Sequence, residues 1–267
     1  MLSVWVILRT KNQARELSTK IMSEESSGNT KKVEVVLSPA LFPAYFESKD
    51  CIVVVIDVFR ATSAICAAFE SGIKGLIPVA NLEEAIEYKS KGYLVGAERN
   101  AEVVDGFDFG NSPLGFKDGK FKGETIVLTT TNVTKAVDMA KSAAKVVIGS
   151  FANLSAVCDY IEKEDKDVLL FCAGWKDRFN LEDTLFAGAV AKKISQNLRF
   201  QNLSDSTIAA INMYNAAKDD MYGFLGESSH RKRLSRLNME EDVIYCLSID
   251  QTDIVPVLEG DVIVSNK

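Results

Sequence analysis

The sequence has few cysteines, the residues whose disulfide bonds stabilise small secreted domains. Among its 267 residues are five cysteines, an odd number, with no Cys-x-x-Cys pair. Neither a disulfide framework nor a zinc site is therefore predicted. Reduced thiols are typical of the cytoplasm, so a cytoplasmic protein is expected.

Acidic residues outnumber basic ones, 37 to 31, and long apolar runs are scarce. The formal net charge is −6, so a nucleic acid or an acidic membrane would have to bind a local basic patch. The one dense basic run, HRKRLSR from His230 to Arg236, predicts an amphipathic helix with a solvated basic face. The apolar start MLSVWVIL is too short to span a bilayer, and no cleavage site follows it. We expect neither a nucleic-acid partner nor a membrane partner.

The first part of the chain lacks the pattern of a folded domain. The stretch SEESSGNTKK is polar and without periodicity, which predicts a disordered or poorly ordered lead-in over residues 1–32. Met1 and Met22 are both candidate starts. Residues 33–267 are expected to form the folded domain.

From Val33 onward, short β-branched runs alternate with helical patterns. Continuous apolar strands such as CIVVVI are typical of parallel strands that are covered on both faces. The sequence therefore predicts an α/β protein with a three-layer α/β/α arrangement and a mostly parallel sheet.

Part of this alternation repeats. The motif Ala-Asn-Leu at Ala80 recurs 72 residues later at Ala152, and scattered identities on both sides keep the same register. Such a repeat predicts an internal duplication. It would give two similar sub-lobes, 33–123 and 124–267, around a shared cleft.

Asp57 and Arg60 follow directly on the apolar strand CIVVVI. Ligands of parallel α/β sheets bind beyond the carboxyl ends of strands, where the next helix presents free N–H groups. Asp57 can be a helix cap or a salt-bridge partner. Arg60 suits a two-point contact with a phosphate or sulfonate. Both a structural and a functional interpretation are open for this pair.

Three more loops at strand ends mix carboxylates, arginines and amides. TTTNVT faces a predicted helix N-terminus, which is typical of an oxyanion cradle. GAERNAEVVDGFDFGNSP and CAGWKDRFNLED add acidic side chains, and Mg²⁺ binds one or two carboxylates together with waters and substrate phosphate. The acidic pair that ends the last loop could also favour a helix dipole. The candidate Mg²⁺ ligands are Asp57, Glu98, Glu182 and Asp183.

These motifs together resemble one family. DVFRATSAI, GAER, GFDFGNSP, TTTN, CAG and LED are similar, in this order, to the ComB family, the 2-phosphosulfolactate phosphatases. The resemblance covers nearly everything from Val33 to the end. It implies an α/β/α homodimer and a Mg²⁺-dependent phosphatase that converts 2-phospho-3-sulfolactate to 3-sulfolactate and phosphate. In methanogenic archaea that step serves coenzyme M biosynthesis.

The loops and the resemblance together suggest roles for individual residues. Asp57 would act as a general base or as the acceptor of the phosphoryl group, and these two roles stay open. The predicted catalytic residues are Asp57, Arg60 and Glu98, and the predicted substrate-binding residues are Arg60, Arg99, Asn111, Ser112, Thr131, Asn132 and Arg178.

The chain departs from the family pattern at several glycines. Asn100, Ala101 and Val133 stand where the family pattern has glycine, and glycine is also expected near Asp177. Glycine lets backbone N–H groups approach an anion closely, often with positive φ. The departures therefore predict a changed substrate or reduced activity. The alternative function is a non-catalytic anion-binding protein that senses a phosphorylated or sulfonated metabolite.

Two rival chemistries are disfavoured. An aspartyl phosphatase of the haloacid-dehalogenase type needs a second aspartate two residues after the first, where this chain has Phe59. A cysteine hydrolase built on Cys172 would need a base, and His230 is the sole histidine. Cys172 is expected in the core, and His230 on the surface of its basic helix.

Overall fold

The computed structural model describes residues 30–99 and 102–266. The choice between Met1 and Met22, and nearly all of the predicted lead-in, lie outside these residues. Within them, no helix is long and apolar enough to cross a membrane. A large, mostly parallel sheet with helices packed against it confirms the predicted α/β fold.

The described residues form eleven strands and ten α-helices. The strands are β1 (Lys32–Val36), β2 (Cys51–Ile56), β3 (Gly75–Pro78), β4 (Leu94–Arg99), β5 (Glu102–Val103), β6 (Thr125–Thr129), β7 (Lys145–Gly149), β8 (Asp167–Cys172), β9 (Asn202–Leu203), β10 (Val255–Glu259) and β11 (Val262–Asn266). The helices are α1 (Phe42–Tyr45), α2 (Ala61–Glu70), α3 (Leu82–Ser90), α4 (Val133–Ala140), α5 (Leu154–Glu164), α6 (Leu181–Ile194), α7 (Asp205–Ala217), α8 (Met221–Phe224), α9 (Ser229–Arg236) and α10 (Glu240–Cys246).

All eleven strands belong to one sheet, in the order β5-β4-β6-β3-β11-β10-β7-β2-β8-β1-β9. The hairpin of β10 and β11 lies between two parallel groups and is antiparallel to both. The three antiparallel pairings in succession, β7 with β10, β10 with β11 and β11 with β3, make the two parallel groups run in opposite directions. Neighbouring strands rotate by roughly 20–25°, so the six steps from β2 to β4 turn the carboxyl ends of these strands back toward each other.

The two predicted sub-lobes interleave in this sheet. β6 lies between β3 and β4, and β2 lies between β7 and β8. The order strand-helix-strand-helix-strand occurs twice, from β2 to β4 and from β6 to β8. The first strand of each copy lies between two strands of the other copy. The internal duplication itself stays a prediction.

The strand β2 explains how the sheet positions the site. All six of its residues are buried, and alternate side chains enter two different apolar clusters. Ile52 and Val54 pack with α6 on one face, while Val53 and Val55 pack with α2 on the other. A strand covered on both faces is rigid along its length, so the residues just after Ile56 are held at a defined point beyond the sheet.

Gly188 lets α6 and α7 approach closely. A Cβ atom at this position would lie 2.1 Å from the backbone oxygen of Ala210. Alanine is better than glycine in a helix by about 1 kcal/mol, but a clash with backbone cannot be relieved by a rotamer change. We expect Gly188→Ala to lower the free energy of unfolding by about 1–3 kcal/mol, as measured by urea denaturation.

The matched control is Gly115→Ala. A Cβ atom at Gly115 would meet nothing within 4 Å, so this substitution should change the unfolding free energy by less than about 0.5 kcal/mol. Equal effects of the two substitutions would show that the helix contact at Gly188 is not as tight as described.

Candidate active site

An open pocket lies where the strand ends meet α9. It is lined by residues that follow β2, β6 and β8, by the end of β4, and by α9. Six of the residues predicted from the sequence line it: Asp57, Arg60, Glu98, Asn111, Thr131 and Asn132. Asp57, Arg60 and Glu98 are widely separated in the chain, and the structure brings them together.

Asp57 lies in the turn between β2 and α2 and is only 4% exposed. Its backbone N–H donates to Thr62 Oγ1 (3.1 Å), and the Thr62 N–H donates back to the Asp57 carbonyl (3.0 Å). The pKa of the Asp57 carboxyl is raised to about 7, mainly by burial; Glu182 and Glu98 also act to raise it, while His230 and the Ala61 N–H act to lower it. A carboxyl group with this pKa can take up or release a proton near neutral pH.

Arg60 is held between two carboxylates. Its Nη2 donates to Glu98 Oε2 (2.5 Å), and its Nη1 donates to Asp242. Asp242 also accepts from Ser112 Oγ (2.7 Å), and Glu98 from the Asn111 N–H (3.3 Å). The Arg60 side chain is 3% exposed. Arg60 therefore ties Glu98 to α10, and two carboxylates already occupy the guanidinium predicted to grip the substrate.

Glu98 remains the second acid of the pocket. Burial raises the pKa of its carboxyl, although the Arg60 guanidinium and the Asn111 N–H lower it. Asp57 and Glu98 thus both face the pocket from buried positions.

The predicted oxyanion cradle lies at the N-terminus of α4. Thr130, Thr131 and Asn132 line the pocket there, next to the N-terminus of α2. The buried Thr130 Oγ1 has no hydrogen-bond partner among the described residues. The N-terminus of α4 and this unpartnered hydroxyl offer N–H and O–H donors for a bound anion, whereas the first N–H groups of α2 already donate to Asp57.

The loop after β8 forms a tight hairpin. The N–H groups of Trp175 and Arg178 each donate to the other residue's carbonyl, at 3.0 and 3.1 Å. Lys176 and Asp177 between them have φ values of 52° and 60°, as expected for a two-residue turn with both central residues left-handed. The hairpin places Trp175 and Lys176 in the pocket wall.

Three of the predicted substrate-binding residues do not line the pocket. Arg178 is exposed, next to the pocket-lining Trp175 in the hairpin. Ser112 donates to Asp242. The Arg99 guanidinium donates to the Glu98 carbonyl (2.7 Å) and to Thr129 Oγ1 (3.4 Å). These three side chains contact other protein groups or solvent instead of the pocket.

Glu182 and Asp183 are completely buried at the start of α6 and do not line the pocket. Asp183 accepts from the N–H groups of Val58 (2.8 Å) and Gly174 (3.1 Å), and so joins the loops after β2 and β8. Burial raises the pKa of its carboxyl well above the usual range, and the neighbouring Asp57 and Glu182 add to this. Glu182 Oε1 lies 2.7 Å from His230 Nδ1.

The four candidate Mg²⁺ ligands therefore do not form one donor set. Within residues 30–99 and 102–266, no group of three or more His, Cys, Asp or Glu side chains is placed to hold a metal ion. Asp57 and Glu98 are the two that line the pocket. They fit Mg²⁺, because this ion binds proteins through one or two carboxylates and completes its shell with water and substrate phosphate.

The prediction of a solvated basic face was wrong for one side of α9. His230, Arg233 and Leu234, spaced i, i+3, i+4, face inward, and all three line the pocket. His230 is 9% exposed. The i, i+3, i+4 spacing is present in the sequence. Basic residues occur on every side of this helix, however, so the spacing did not indicate which side is buried.

The hydrogen bonds of His230 define its tautomer. Arg233 Nη2 lies 2.6 Å from His230 Nε2, and an arginine can only donate. Nε2 therefore accepts, and the Nδ1–H donates to Glu182. Sequence reasoning assigned no site role to Arg233, Trp175 or Asp242, because nothing local to them indicates their partners.

The positions at which the family pattern has glycine differ in their backbone conformation. Val133 is the first residue of α4 and is not among the residues with positive φ, so its side chain strains nothing there. Asp177 has the left-handed backbone that favours glycine. Asn100 and Ala101 lie outside the described residues.

Cys172 fills the core, as predicted. It is completely buried, and burial raises the pKa of its thiol well above the usual range. A protonated thiol with no solvent access is not a nucleophile.

The fold and the pocket define an α/β protein with a polar cleft beyond its strand ends. The family model described as 2-phosphosulpholactate phosphatase matches residues 36–261. The chain belongs to this family of phosphoric monoester hydrolases, which confirms the resemblance seen in the motifs.

Individual relatives agree with the family match. A protein of Thermotoga petrophila is 44% identical over 211 residues, covering 79% of this chain and 90% of the relative. One of Caldanaerobacter subterraneus subsp. tengcongensis is 40% identical over 215 residues, covering 79% of this chain and 89% of the relative. Both relatives carry the name "Probable 2-phosphosulfolactate phosphatase".

Proposed function

We propose that this chain is a Mg²⁺-dependent phosphatase that hydrolyses a small anionic phosphomonoester, namely 2-phospho-3-sulfolactate, to 3-sulfolactate and phosphate. The observation that carries the proposal is the position of Asp57. Its carboxyl group has a pKa of about 7, beside Glu98 and next to the N-termini of α2 and α4. Family membership and the names of the relatives support the choice of substrate.

Asp57 and Glu98 would hold the Mg²⁺ ion. When bound, the ion would neutralise charge on the phosphoryl oxygens and orient the attacking water. Two carboxylates that burial makes costly to ionise would gain from a cation between them. The protein supplies this acidic pair on one side of the pocket and N–H and O–H donors on the other.

The residues of the chain have separate tasks in the proposed reaction. The N-terminus of α4 and the side chains of Thr130, Thr131 and Asn132 bind the phosphoryl oxygens and keep them oriented. Asp57 either takes a proton from the attacking water as the ester P–O bond breaks and 3-sulfolactate leaves, taking up a proton from solvent, or it accepts the phosphoryl group as 3-sulfolactate leaves in the same way, and water then hydrolyses the phosphorylated aspartate. Arg60 does not need to touch the substrate, because it holds Glu98 in place.

Phosphate release is the test of the activity. The purified protein is incubated with 2-phospho-3-sulfolactate, 2-phospholactate and 3-phosphoglycerate, with Mg²⁺ or with EDTA. We expect the sulfolactate ester to be hydrolysed fastest, and EDTA to lower the rate by at least about 10²-fold until Mg²⁺ is restored.

The outcomes separate the alternatives. Equal rates with and without EDTA would contradict the Mg²⁺ requirement. Thermal stabilisation by 2-phospho-3-sulfolactate without turnover of any ester would favour the non-catalytic anion sensor. The homodimer, the cytoplasmic location and the link to coenzyme M biosynthesis stay predictions, and sedimentation velocity would decide the first.

A further inference from the structure

The cations of the pocket differ in how they are paired. Arg60 is neutralised by Glu98 and Asp242. Arg233 and Lys176 also line the pocket, yet within the described part of the chain neither forms an ion pair with a carboxylate. The pocket thus contains two positive side chains that form no ion pair with a carboxylate of the described residues.

Arg233 is held by a chain of contacts that starts in the core. The fully buried Glu182 accepts from His230 Nδ1 (2.7 Å), and His230 Nε2 accepts from Arg233 Nη2 (2.6 Å). The Arg233 guanidinium carbon lies 5.0 Å from the centre of the Trp175 ring, and Lys176 Nζ lies 4.6 Å from it. Cations within about 6 Å of an aromatic centre are attracted to it, so Trp175 anchors both positive groups.

Arg233 still has a donor to offer. Its Nε is buried and has no hydrogen-bond partner among the described residues. Burial also lowers the pKa of the guanidinium, although Glu98, Asp57 and Glu182 oppose this. A buried charged donor without a partner is costly. The Arg233 side chain lines the pocket, and a guanidinium binds phosphate and sulfonate through two parallel N–H bonds.

We propose that Arg233, with Lys176 beside it, binds an oxyanion group of the substrate, and that Glu182 acts through His230 as the residue that positions Arg233. The inference rests on the proposed function for the identity of the substrate. It reassigns the role that the sequence suggested for Arg60, Arg99 and Arg178. The oxyanion is tetrahedral, either the phosphoryl group or the sulfonate.

The direct test uses inorganic phosphate and methanesulfonate as probes, measured by isothermal titration calorimetry without turnover. Arg233→Gln should weaken binding of at least one probe by about 30-fold or more, since truncating one partner of a buried charged pair costs that much. With the full substrate, kcat/KM should fall by at least about 10²-fold, mainly through KM. Arg233→Lys should recover part of the affinity.

Arg231→Gln is the matched control. Arg231 is on the same helix, but its guanidinium lies over the Tyr222 ring at 3.7 Å and does not line the pocket. This variant should bind both probes like the wild type. Arg233→Gln with unchanged affinity for both phosphate and methanesulfonate would overturn the proposal. A loss confined to one probe supports it and tells which group Arg233 binds.

The positioning role of Glu182 has its own test. Glu182→Gln keeps an oxygen that can accept from His230, whereas Glu182→Leu does not. We expect Gln to retain most of the phosphate affinity and Leu to lose about as much as Arg233→Gln. If Glu182→Leu lowers the melting temperature but leaves probe affinity and KM unchanged, Glu182 is only structural.

Failure of this inference differs from failure of the proposed function. A wild-type protein that hydrolyses none of the esters would refute the phosphatase. Probe binding would still show whether Arg233 contacts an oxyanion. An active enzyme whose Arg233→Gln variant is unchanged in KM and probe affinity would refute the inference alone.

Discussion

Replacing Asp57 with asparagine is expected to lower kcat by at least about 10³-fold, in line with the loss of a general base or a covalent acceptor. Asparagine has almost the same shape, so the pocket should keep its form. Neither of its side-chain atoms can take a proton from water or accept a phosphoryl group. Steady-state phosphate release measures the loss.

The same substitution should make the metal-free protein more stable above neutral pH. The pKa of the Asp57 carboxyl is about 7 in the folded chain and about 3.9 in an unfolded one. Between these values the folded state binds more protons, so stability falls as pH rises from about 4 to 7. About three units at 1.36 kcal/mol each give an upper limit of roughly 4 kcal/mol, which Asp57→Asn would remove.

Urea denaturation in EDTA at pH 5 and pH 8 measures this effect. We expect the variant to exceed the wild type at pH 8 by clearly more than at pH 5. Asp138→Asn is the control: Asp138 pairs with Lys141 on the exposed side of α4, and its variant should keep both activity and stability. If the Asp57→Asn variant is inactive and also less stable than the wild type at pH 8, burial is not the main influence on the pKa of the Asp57 carboxyl.

The chemical role of Asp57 can be resolved in the active enzyme. If Asp57 accepts the phosphoryl group, acid quenching during turnover should trap a phosphorylated chain that hydroxylamine cleaves. A general base leaves no such species. The structure is compatible with both roles, because water and substrate can reach the carboxyl from the same pocket.

Removing Arg60 should be the most destabilising single change at the site. Arg60→Met would leave Glu98 and Asp242 without their shared cation. The three side chains are 3%, 12% and 5% exposed, in the order Arg60, Glu98, Asp242. Breaking a buried ion pair from one side costs about 3–5 kcal/mol. The loss should be smaller at pH 5 than at pH 8, because burial raises the pKa of Glu98 and Arg60 is the main group that opposes this.

Arg99→Met provides the comparison for Arg60. Arg99 donates to a carbonyl and a hydroxyl rather than to carboxylates, so its loss should cost about 1 kcal/mol. The double variant Arg60→Met with Asp242→Leu should regain part of the stability, since one unpaired charge is removed. An Arg60→Met protein within about 1 kcal/mol of the wild type at pH 8 would show that the two carboxylates do not depend on Arg60.

Several site residues could be predicted because the feature that places them is local. Asp57 follows directly on a continuous apolar run, and Thr131 and Asn132 stand between a strand and a helix. Any parallel α/β sheet brings such positions to its strand ends. The position of Glu98 near Asp57 depends in addition on the twist of the sheet, because β4 belongs to the parallel group that runs opposite to the group containing β2.

The residues that were missed or misplaced depend on partners distant in the chain. Glu182 was expected at a metal ion, but the packing of α6 directs it to His230, which is 48 residues away. Arg233 was expected in water, but α9 lies across the pocket and turns it inward. Neither helix carries a local signal of what it packs against.

The order of apolar and polar residues alone determined the α/β class, the strand ends and the acidic and hydroxyl-bearing loops. These follow from hydrophobic periodicity and chain direction, which act over a few residues. Only the tertiary structure decided which charges neutralise one another and which stay available to a ligand. That choice depends on distances of a few ångströms between segments far apart in the chain, and burial then sets the pKa of each group.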